Sequence, residues 1–261
     1  MSIEVRNLSF AYDGPCVLRE VSFRADGGEL VAVLGPNGVG KSTLFRCMLG
    51  FLKPRSGEVV VDGRRLADIP RREVAQRIAY IPQSAPPAFN YTVTDVVLMG
   101  FTNRIGVIEM PGPEHTERAV AVLEELGIAH LRHRGFNRIS GGERQLALLG
   151  RALAQDTAIL LMDEPVANLD YSNQHRLMEL LNGLAGRGYT VVFSTHDPNL
   201  ALHHAGRVLA LKGGRLILDG KPEAVLTESS MEALYGIGVS LCTVEAGGRT
   251  VTVSVPRGAT S

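Results

Sequence analysis

A glycine-rich segment that ends in a lysine and two hydroxyl residues has the composition of a phosphate-binding loop. It fits the pattern G-x-x-x-x-G-K-[ST] and consists of Gly35, Pro36, Asn37, Gly38, Val39, Gly40, Lys41, Ser42 and Thr43. Glycines allow backbone N–H groups to turn inward around an anion. A helix predicted over residues 44–49 adds the positive end of its dipole. In this setting Lys41 would reach the β- and γ-phosphates of a nucleotide, and Ser42 would ligate Mg²⁺.

Two acids and a histidine follow apolar runs further along the chain. Asp163 and Glu164 come directly after residues 159–162, and His196 follows the run 191–194 through a single threonine. Because the carboxyl ends of parallel strands border the ligand crevice of an α/β sheet, we expect these side chains near the phosphates. Asp163 would hold Mg²⁺ through water, and Glu164 would act as general base toward the nucleophilic water. A neutral His196 imidazole would contact the γ-phosphate and orient that water.

A second pair of glycines precedes another predicted helix, over residues 144–154. The segment consists of Ser140, Gly141, Gly142 and Glu143, and its serine is a good helix N-cap. One interpretation is a capped turn without a ligand. The other is a second phosphate grip, because the glycines permit close backbone approach at a helix N-terminus. Combined with the glycine-rich loop, the second interpretation predicts two half-sites and therefore a nucleotide-dependent dimer, in which another copy closes over the γ-phosphate.

The hydropathy pattern predicts an α/β fold that would bring these motifs close together. Alternating apolar residues near the N-terminus predict antiparallel strands, and uniformly apolar runs predict strands buried on both faces of a parallel sheet. From residue 84 to residue 156 the apolar spacing is helical, which predicts a helical insertion in the α/β core. A late hairpin is expected around Gly213 and Gly214. The tail, residues 236–261, is either a small hairpin or a disordered end.

Charge and composition exclude several classes of function. The chain has 261 residues, with 27 Lys+Arg and 27 Asp+Glu, so its formal net charge is +0. This balance disfavours a protein that coats nucleic acid by electrostatic attraction. The apolar runs are much shorter than the roughly 18 residues of a membrane span, and the N-terminus lacks the apolar stretch of a signal peptide. With three scattered cysteines that show no metal or disulfide spacing, the composition predicts a soluble cytosolic protein.

Along residues 2–226, the motifs resemble those of the ATPase subunit of ATP-binding-cassette (ABC) transporters, and they occur in the same order as in that family. The loop at 35–43 is similar to the Walker A loop, and the segment at 140–143 to the family signature. Asp163 and Glu164 resemble the Walker B acid and the catalytic glutamate. Further positions that resemble family motifs are the switch histidine His196, the Q-loop glutamine Gln83, the D-loop that ends at Asp170, and Tyr12 in the place of the aromatic residue that stacks on adenine.

The resemblance implies a P-loop NTPase with the ABC ATPase fold: a mixed-sheet core, an antiparallel β subdomain and a helical insertion. It assigns residues 1–83 and 157–226 to the nucleotide-binding core, residues 84–156 to the helical subdomain and residues 227–261 to a C-terminal extension. It further implies ATP and Mg²⁺ as cofactors. Catalysis is assigned to Glu164, His196 and Gln83, and the metal to Ser42, Gln83 and Asp163.

The implied partners are a second copy of the chain, the permease subunits of a transporter and, indirectly, an extracytoplasmic substrate-binding protein. Nucleic acid is not among them. The chain would lie on the cytoplasmic face of the inner membrane, and a groove near Gln83 and residues 84–101 would receive a short permease helix.

Residues 91–100 and 196–199 resemble the branch of ATPases that import metal chelates, namely iron-siderophore, haem, cobalamin and the related molybdate/tungstate systems. Two positions depart from that branch: Phe101 stands where arginine is usual, and Val166 where threonine is common. The principal alternative is a soluble ABC ATPase in nucleic-acid repair or translation. A P-loop kinase or GTPase and a non-enzymatic nucleotide-gated assembly factor are further alternatives.

Overall fold

The uniformly apolar runs form the centre of a mixed six-stranded sheet. The computed structural model describes residues 1–83, 90–103 and 111–257. Its strands are β3 (Leu30–Leu34), β6 (Ile78–Ile81), β7 (Ile159–Met162), β8 (Thr190–Thr195), β9 (Arg207–Lys212) and β10 (Arg215–Gly220). They lie in the order β10-β9-β3-β8-β7-β6, in which only β10 runs antiparallel to its neighbour.

Alternate side chains of the central strands enter two separate hydrophobic clusters. In β3, Ala32 and Leu34 belong to one cluster, whereas Val31 and Val33 belong to the other. The first cluster includes residues of the helices at 93–98, 113–125 and 141–154. Because successive side chains point to opposite faces of a sheet, a strand covered on both sides must be apolar at every position. This explains the continuous apolar runs in the sequence.

The alternating N-terminal segments belong to a four-stranded antiparallel sheet. Its strands are β1 (Ile3–Phe10), β2 (Leu18–Ala25), β4 (Ser56–Val61) and β5 (Arg64–Arg65), in the order β2-β1-β4-β5. Their inward side chains, such as Val5 and Phe23, share the second cluster with Val31 and Val33. The N-terminal pattern thus forms antiparallel strands, as predicted, and the structure adds that this sheet covers one face of the mixed sheet.

Helices account for much of the remaining described chain. They are α1 (Lys41–Met48), α2 (Arg71–Ala75), α3 (Val93–Leu98), α4 (Pro113–Glu125), α5 (Gly141–Ala154), α6 (Tyr171–Gly186), α7 (Pro198–His204), α8 (Pro222–Val225) and α9 (Glu228–Tyr235). In the described parts of 84–156, α3 to α5 pack around buried Phe101, Leu123 and Leu149.

Of the two alternatives for the tail, the structure has the hairpin, formed by β11 (Val239–Ala246) and β12 (Arg249–Pro256).

Parts of three expectations lie outside the described residues: residues 84–89 and 104–110 of the helical insertion, part of the permease groove, and residues 258–261 of the tail. The division of the chain into a core, a helical subdomain and an extension stays a prediction. Within the described ranges, no helix is long and apolar enough to cross a membrane.

Phe101 and Val166, the two departures from the metal-chelate branch, are packing residues. Phe101 is buried, with the His115 ring at 5.1 Å between centroids and the Arg118 guanidinium 5.1 Å from its ring centroid. Val166 is partly buried against the first cluster.

Gly57 offers a test of the antiparallel sheet. Its φ is +77°, and an added Cβ would lie 2.3 Å from the carbonyl oxygens of both Arg6 and Asn7, where the register of β1 and β4 shifts. We expect Gly57→Ala to lower the free energy of unfolding by about 2 kcal/mol, measured by urea denaturation. The matched control is Gly183→Ala, within α6 with open space around it, which should raise that free energy by roughly 0.5–1 kcal/mol. Equal effects of the two substitutions would contradict the requirement for glycine at position 57.

Candidate nucleotide-binding site

The glycine-rich loop connects β3 to α1 and borders a cavity of about 470 Å³. The cavity is lined by Tyr12, Val17, Asn37, Gly38, Gly40, Lys41, Ser42, Thr43, Gln83 and Glu164. Gly38 and Gly40 have φ values of +79° and +113°, which side chains rarely adopt. At Gly35 a Cβ would lie 2.6 Å from the Leu211 carbonyl oxygen. The local backbone therefore requires glycine at these positions of the motif.

Lys41 is the first residue of α1 and is 5% exposed. Its Nζ donates to the carbonyl oxygens of Gly35 at 2.8 Å and Pro36 at 3.2 Å, and lies 3.4 Å from Glu164 Oε1. A buried ammonium group needs anionic or strongly polar partners. The lysine thus supplies a positive charge at the base of the cavity, next to the N-terminus of a helix whose first turn contains no acidic residue.

The Glu164 carboxylate lies where three predicted site residues meet. Gln83 Nε2 donates to its Oε2 at 3.2 Å, and His196 Nδ1 lies 3.4 Å from its Oε1, which is also the Lys41 partner. The side chain is 11% exposed, and the residue has a φ of +45°, in the left-handed region. Such a conformation is costly for a residue other than glycine and needs support from its surroundings.

Ser194, in β8, provides that support and was not identified from the sequence. Its hydroxyl accepts the Glu164 backbone N–H at 2.9 Å and donates to Asp163 Oδ1 at 2.6 Å. Ser194 is fully buried and Asp163 is 4% exposed. One hydroxyl therefore fixes both acids of the pair. Burial, and to a lesser extent the Asp163 charge, raises the pKa of the nearby Tyr80 to about 12.

The residues predicted to hold Mg²⁺ have the appropriate donor chemistry. Ser42 and Gln83 line the cavity and offer a hydroxyl and an amide oxygen, while buried Asp163 offers a carboxylate with Oδ2 outside its bond to Ser194. Mg²⁺ prefers oxygen ligands and is usually held by one or two carboxylates together with phosphates and water. This donor set fits the metal.

Tyr12 borders the same cavity from the antiparallel sheet. The residue is 47% exposed, and its ring packs edge-to-face with Phe10 at 4.9 Å between centroids. The hydroxyl lies 3.5 Å from Thr43 Oγ1. An exposed aromatic face beside a phosphate-binding loop is suited to stacking on a base.

The segment 140–143 lies elsewhere. Among the described residues that line the cavity, none comes from this segment, and Asp170 is also absent from the lining. Ser140 and Glu143 form a capping box at the start of α5: the serine hydroxyl accepts the Glu143 N–H at 3.3 Å, and the carboxylate accepts the Ser140 N–H at 2.8 Å. That backbone bond is the main reason that the pKa of Glu143 is lowered. The predicted helix cap at Ser140 is therefore present, and both interpretations of the segment include it.

Asn173 links this segment to Asp170 and was also missed by sequence reasoning. Asp170 is the N-cap of α6, and its two carboxylate oxygens accept from the backbone and side-chain nitrogens of Asn173 at 2.8 and 2.9 Å. A Cβ on Gly142 would lie 2.5 Å from the same asparagine side chain. Close packing against α6 thus requires glycine at 142, apart from any ligand.

The fold and the cavity define a P-loop nucleotide-binding protein. The sequence family described as ABC transporter matches residues 18–167, which is more than half of the chain. The chain belongs to the ABC transporter family, and it is an ATP-binding, ATP-hydrolysing subunit. The expected ABC ATPase fold, with its mixed sheet, antiparallel sheet and helices, is confirmed.

Known proteins are similar over almost the whole chain. A probable iron chelatin transport ATP-binding protein from Helicobacter pylori is 38% identical over 237 residues, which cover 90% of this chain and 93% of that protein. The hemin import ATP-binding protein HmuV from Rhodopseudomonas palustris is 38% identical over 247 residues, covering 92% and 90%. A solved structure of a putative metal-chelate type ABC transporter in an inward-facing conformation has a TM-score of 0.89 at 33% identity, covering 99% and 98%.

Ser194→Ala tests the support of the two acids. The substitution leaves Asp163 Oδ1 and the Glu164 N–H without their buried partner, so we expect the free energy of unfolding to fall by about 1–3 kcal/mol in urea denaturation. Ser22→Ala is the control, because Ser22 makes the same pair of bonds to Asn7 at an exposed position. An equal loss in the two variants would show that burial at Ser194 has no effect.

Proposed function

We propose that this chain powers the import of a metal chelate or metal oxyanion, of the iron-siderophore, haem, cobalamin or molybdate/tungstate class, through a membrane permease. The observation that carries the catalytic part is the convergence of Lys41, Gln83 and His196 on the Glu164 carboxylate. The relatives described as iron chelatin and hemin transport proteins, and the metal-chelate type structure, support the cargo class.

In this proposal Glu164 is the general base. A carboxylate held by a constrained backbone beside the phosphate loop can accept a proton from a water that attacks the γ-phosphate. Its Oε1 is paired with Lys41. Binding of the β- and γ-phosphates would give the lysine a new anionic partner, so the carboxylate oxygen becomes available to water. His196, beside the same oxygen, orients that water.

The metal and the adenine have separate positions in the proposed site. Ser42, Gln83 and Asp163 would hold Mg²⁺, which when bound neutralises charge on the phosphates. Residues 35–43 hold the phosphates through backbone N–H groups and the Lys41 ammonium. Tyr12 stacks on the adenine.

We further propose that the active unit is a dimer of two copies. Ser140, Gly141, Gly142, Glu143 and Asp170 are absent from the lining of this chain's own cavity, whereas an N-terminal helix end such as that of α5 suits an anion. In the dimer these residues close over the γ-phosphate held by the partner. ATP binding closes the pair, and hydrolysis with product release reopens it, as a two-state element biased by the γ-phosphate.

The proposed setting is the cytoplasmic face of the inner membrane, where the chain contacts a polytopic permease and, through it, an extracytoplasmic substrate-binding protein. The groove near Gln83 would receive a permease helix, so closure of the dimer is transmitted to the pore. The names of the similar proteins give no support to a nucleic-acid repair or translation ATPase. The formal net charge of +0 provides no excess of positive charge that would attract nucleic acid.

Glu164→Gln tests the general base and the dimer together. The amide keeps the shape of the side chain but cannot accept the proton, so we expect ATP hydrolysis to fall by a factor of about 10²–10⁴. The variant should accumulate as an ATP-bound dimer, measured by phosphate release and by light scattering with Mg-ATP. Glu117→Gln, at an exposed position on α4, is the control and should behave as the parent. Hydrolysis at the parent rate by the glutamine variant, or full turnover by a strictly monomeric parent, would contradict the proposal.

Uptake in cells tests the cargo class. Cells that lack this chain receive the parent or the Glu164→Gln variant, and uptake of a ferric siderophore, haemin, cobalamin and molybdate is measured separately. We expect the parent alone to restore uptake of one compound of this group, with a multi-span membrane protein recovered on affinity purification. Restoration of none of the compounds, together with recovery of nucleic acid, would favour the repair or translation ATPase.

A further inference from the structure

His196 lies in a short connection between a buried strand and a helix. Thr195, the last residue of β8, is 4% exposed, and α7 begins at Pro198. Asp197 caps α7 by accepting the Asn199 N–H at 2.8 Å, and its own N–H donates to Thr195 Oγ1 at 3.0 Å. The His196 side chain, in contrast, is 51% exposed. Its direction therefore depends on how the main chain of this connection is held.

The C-terminal extension, residues 227–261, makes one contact that fixes this main chain. The Tyr235 hydroxyl donates to the His196 carbonyl oxygen at 3.0 Å, across 39 residues of sequence. Tyr235 is the last residue of α9, which is anchored by buried Met231 and Leu234 and ends at Gly236 with a φ of +75°. The hydroxyl thus belongs to a helix that packs into the first hydrophobic cluster.

The hairpin that follows in sequence, β11 and β12, contacts the helix α7 at the C-terminal end of this connection. Asn199, in the first turn of α7, pairs with the backbone of Ser254 in β12: its Oδ1 accepts the Ser254 N–H at 2.7 Å, and its Nδ2 donates to the Ser254 carbonyl at 3.1 Å. One turn later His203 Nε2 lies 2.9 Å from the Thr252 carbonyl oxygen. The extension therefore contacts the segment around His196 at its carbonyl and along the helix that follows.

We propose that Tyr235 is a positioning residue for ATP hydrolysis, which fixes the peptide group of His196 and thereby directs the imidazole toward Glu164. This inference rests on the proposed role of His196. A hydrogen bond to the carbonyl fixes the plane between residues 196 and 197, and with it the direction in which the His196 side chain leaves the backbone. The imidazole Nδ1, at 3.4 Å from Glu164 Oε1, depends on that direction.

The hydroxyl is a constant donor over the neutral range. Burial, followed by the Asp197 carboxylate, raises the pKa of Tyr235 further above the neutral range, in which a phenol is already uncharged. A neutral phenol keeps its proton for the His196 carbonyl, whereas phenylalanine at the same place would keep the ring packing and lose only this bond.

Tyr235→Phe in the full-length chain is the direct test. We expect kcat for ATP hydrolysis to fall about fivefold, the effect of one neutral hydrogen bond expressed as a rate. KM for ATP should stay unchanged because the phosphate loop is untouched. The control is Tyr189→Phe, which removes a tyrosine hydroxyl from a side chain that packs on the first cluster and should leave kcat at the parent value. Thermal unfolding of both variants should begin well above the assay temperature, which separates positioning from a loss of the fold.

His196→Ala separates this inference from the proposed function. Loss of hydrolysis in His196→Ala together with a lower kcat in Tyr235→Phe supports both. Loss of hydrolysis in His196→Ala with an unchanged kcat in Tyr235→Phe overturns the role of Tyr235 alone. Hydrolysis at the parent rate in His196→Ala overturns the proposed role of His196, and Tyr235 then has no histidine to position.

Discussion

The candidate site depends on one constraint of the parallel sheet, namely that β3, β6, β7 and β8 all end at the same edge. The register aligns Leu34 with Thr195 and Ile81 with Met162. The phosphate loop, Gln83, the acid pair and His196 therefore follow neighbouring strand ends although they are far apart in sequence. A single carboxylate, that of Glu164, then makes contact with a cation, an amide and an imidazole. The parallel pairing of β3 with β8, β8 with β7 and β7 with β6 keeps these four strand ends in register.

Much of this arrangement could be predicted because its signals are local. A continuous apolar run can only be a strand covered on both faces or a buried helix, and the glycine pattern of the phosphate loop requires a strand before it and a helix after it. The central sheet, the antiparallel sheet and the helical spacing of the described residues within 84–156 agree with these expectations. The hairpin, in contrast, was one of two alternatives, because its short β-like runs carry no information on what they pack against.

The supporting residues could not be predicted, because their roles come from tertiary register. Ser194 stands at the end of an apolar run and has the appearance of a small core residue, yet the pairing of β7 with β8 brings its hydroxyl to both acids. Asn173 and Tyr235 are equally unremarkable in sequence. Gly142 was interpreted through phosphate approach, whereas in the structure its small size also admits the Asn173 side chain. Each of these contacts joins segments that no short motif connects.

The alternation of the central strands between two hydrophobic clusters bears on how the effects of core substitutions combine. A substitution at Val33 or Leu161 changes the packing against α1 and the antiparallel sheet. A substitution at Leu34 or Met162 changes the packing against α3 to α6. Since residues that lie more than about 7–10 Å apart and share no neighbours contribute to stability almost independently, we expect substitutions at distant positions of the two clusters to change the free energy of unfolding additively.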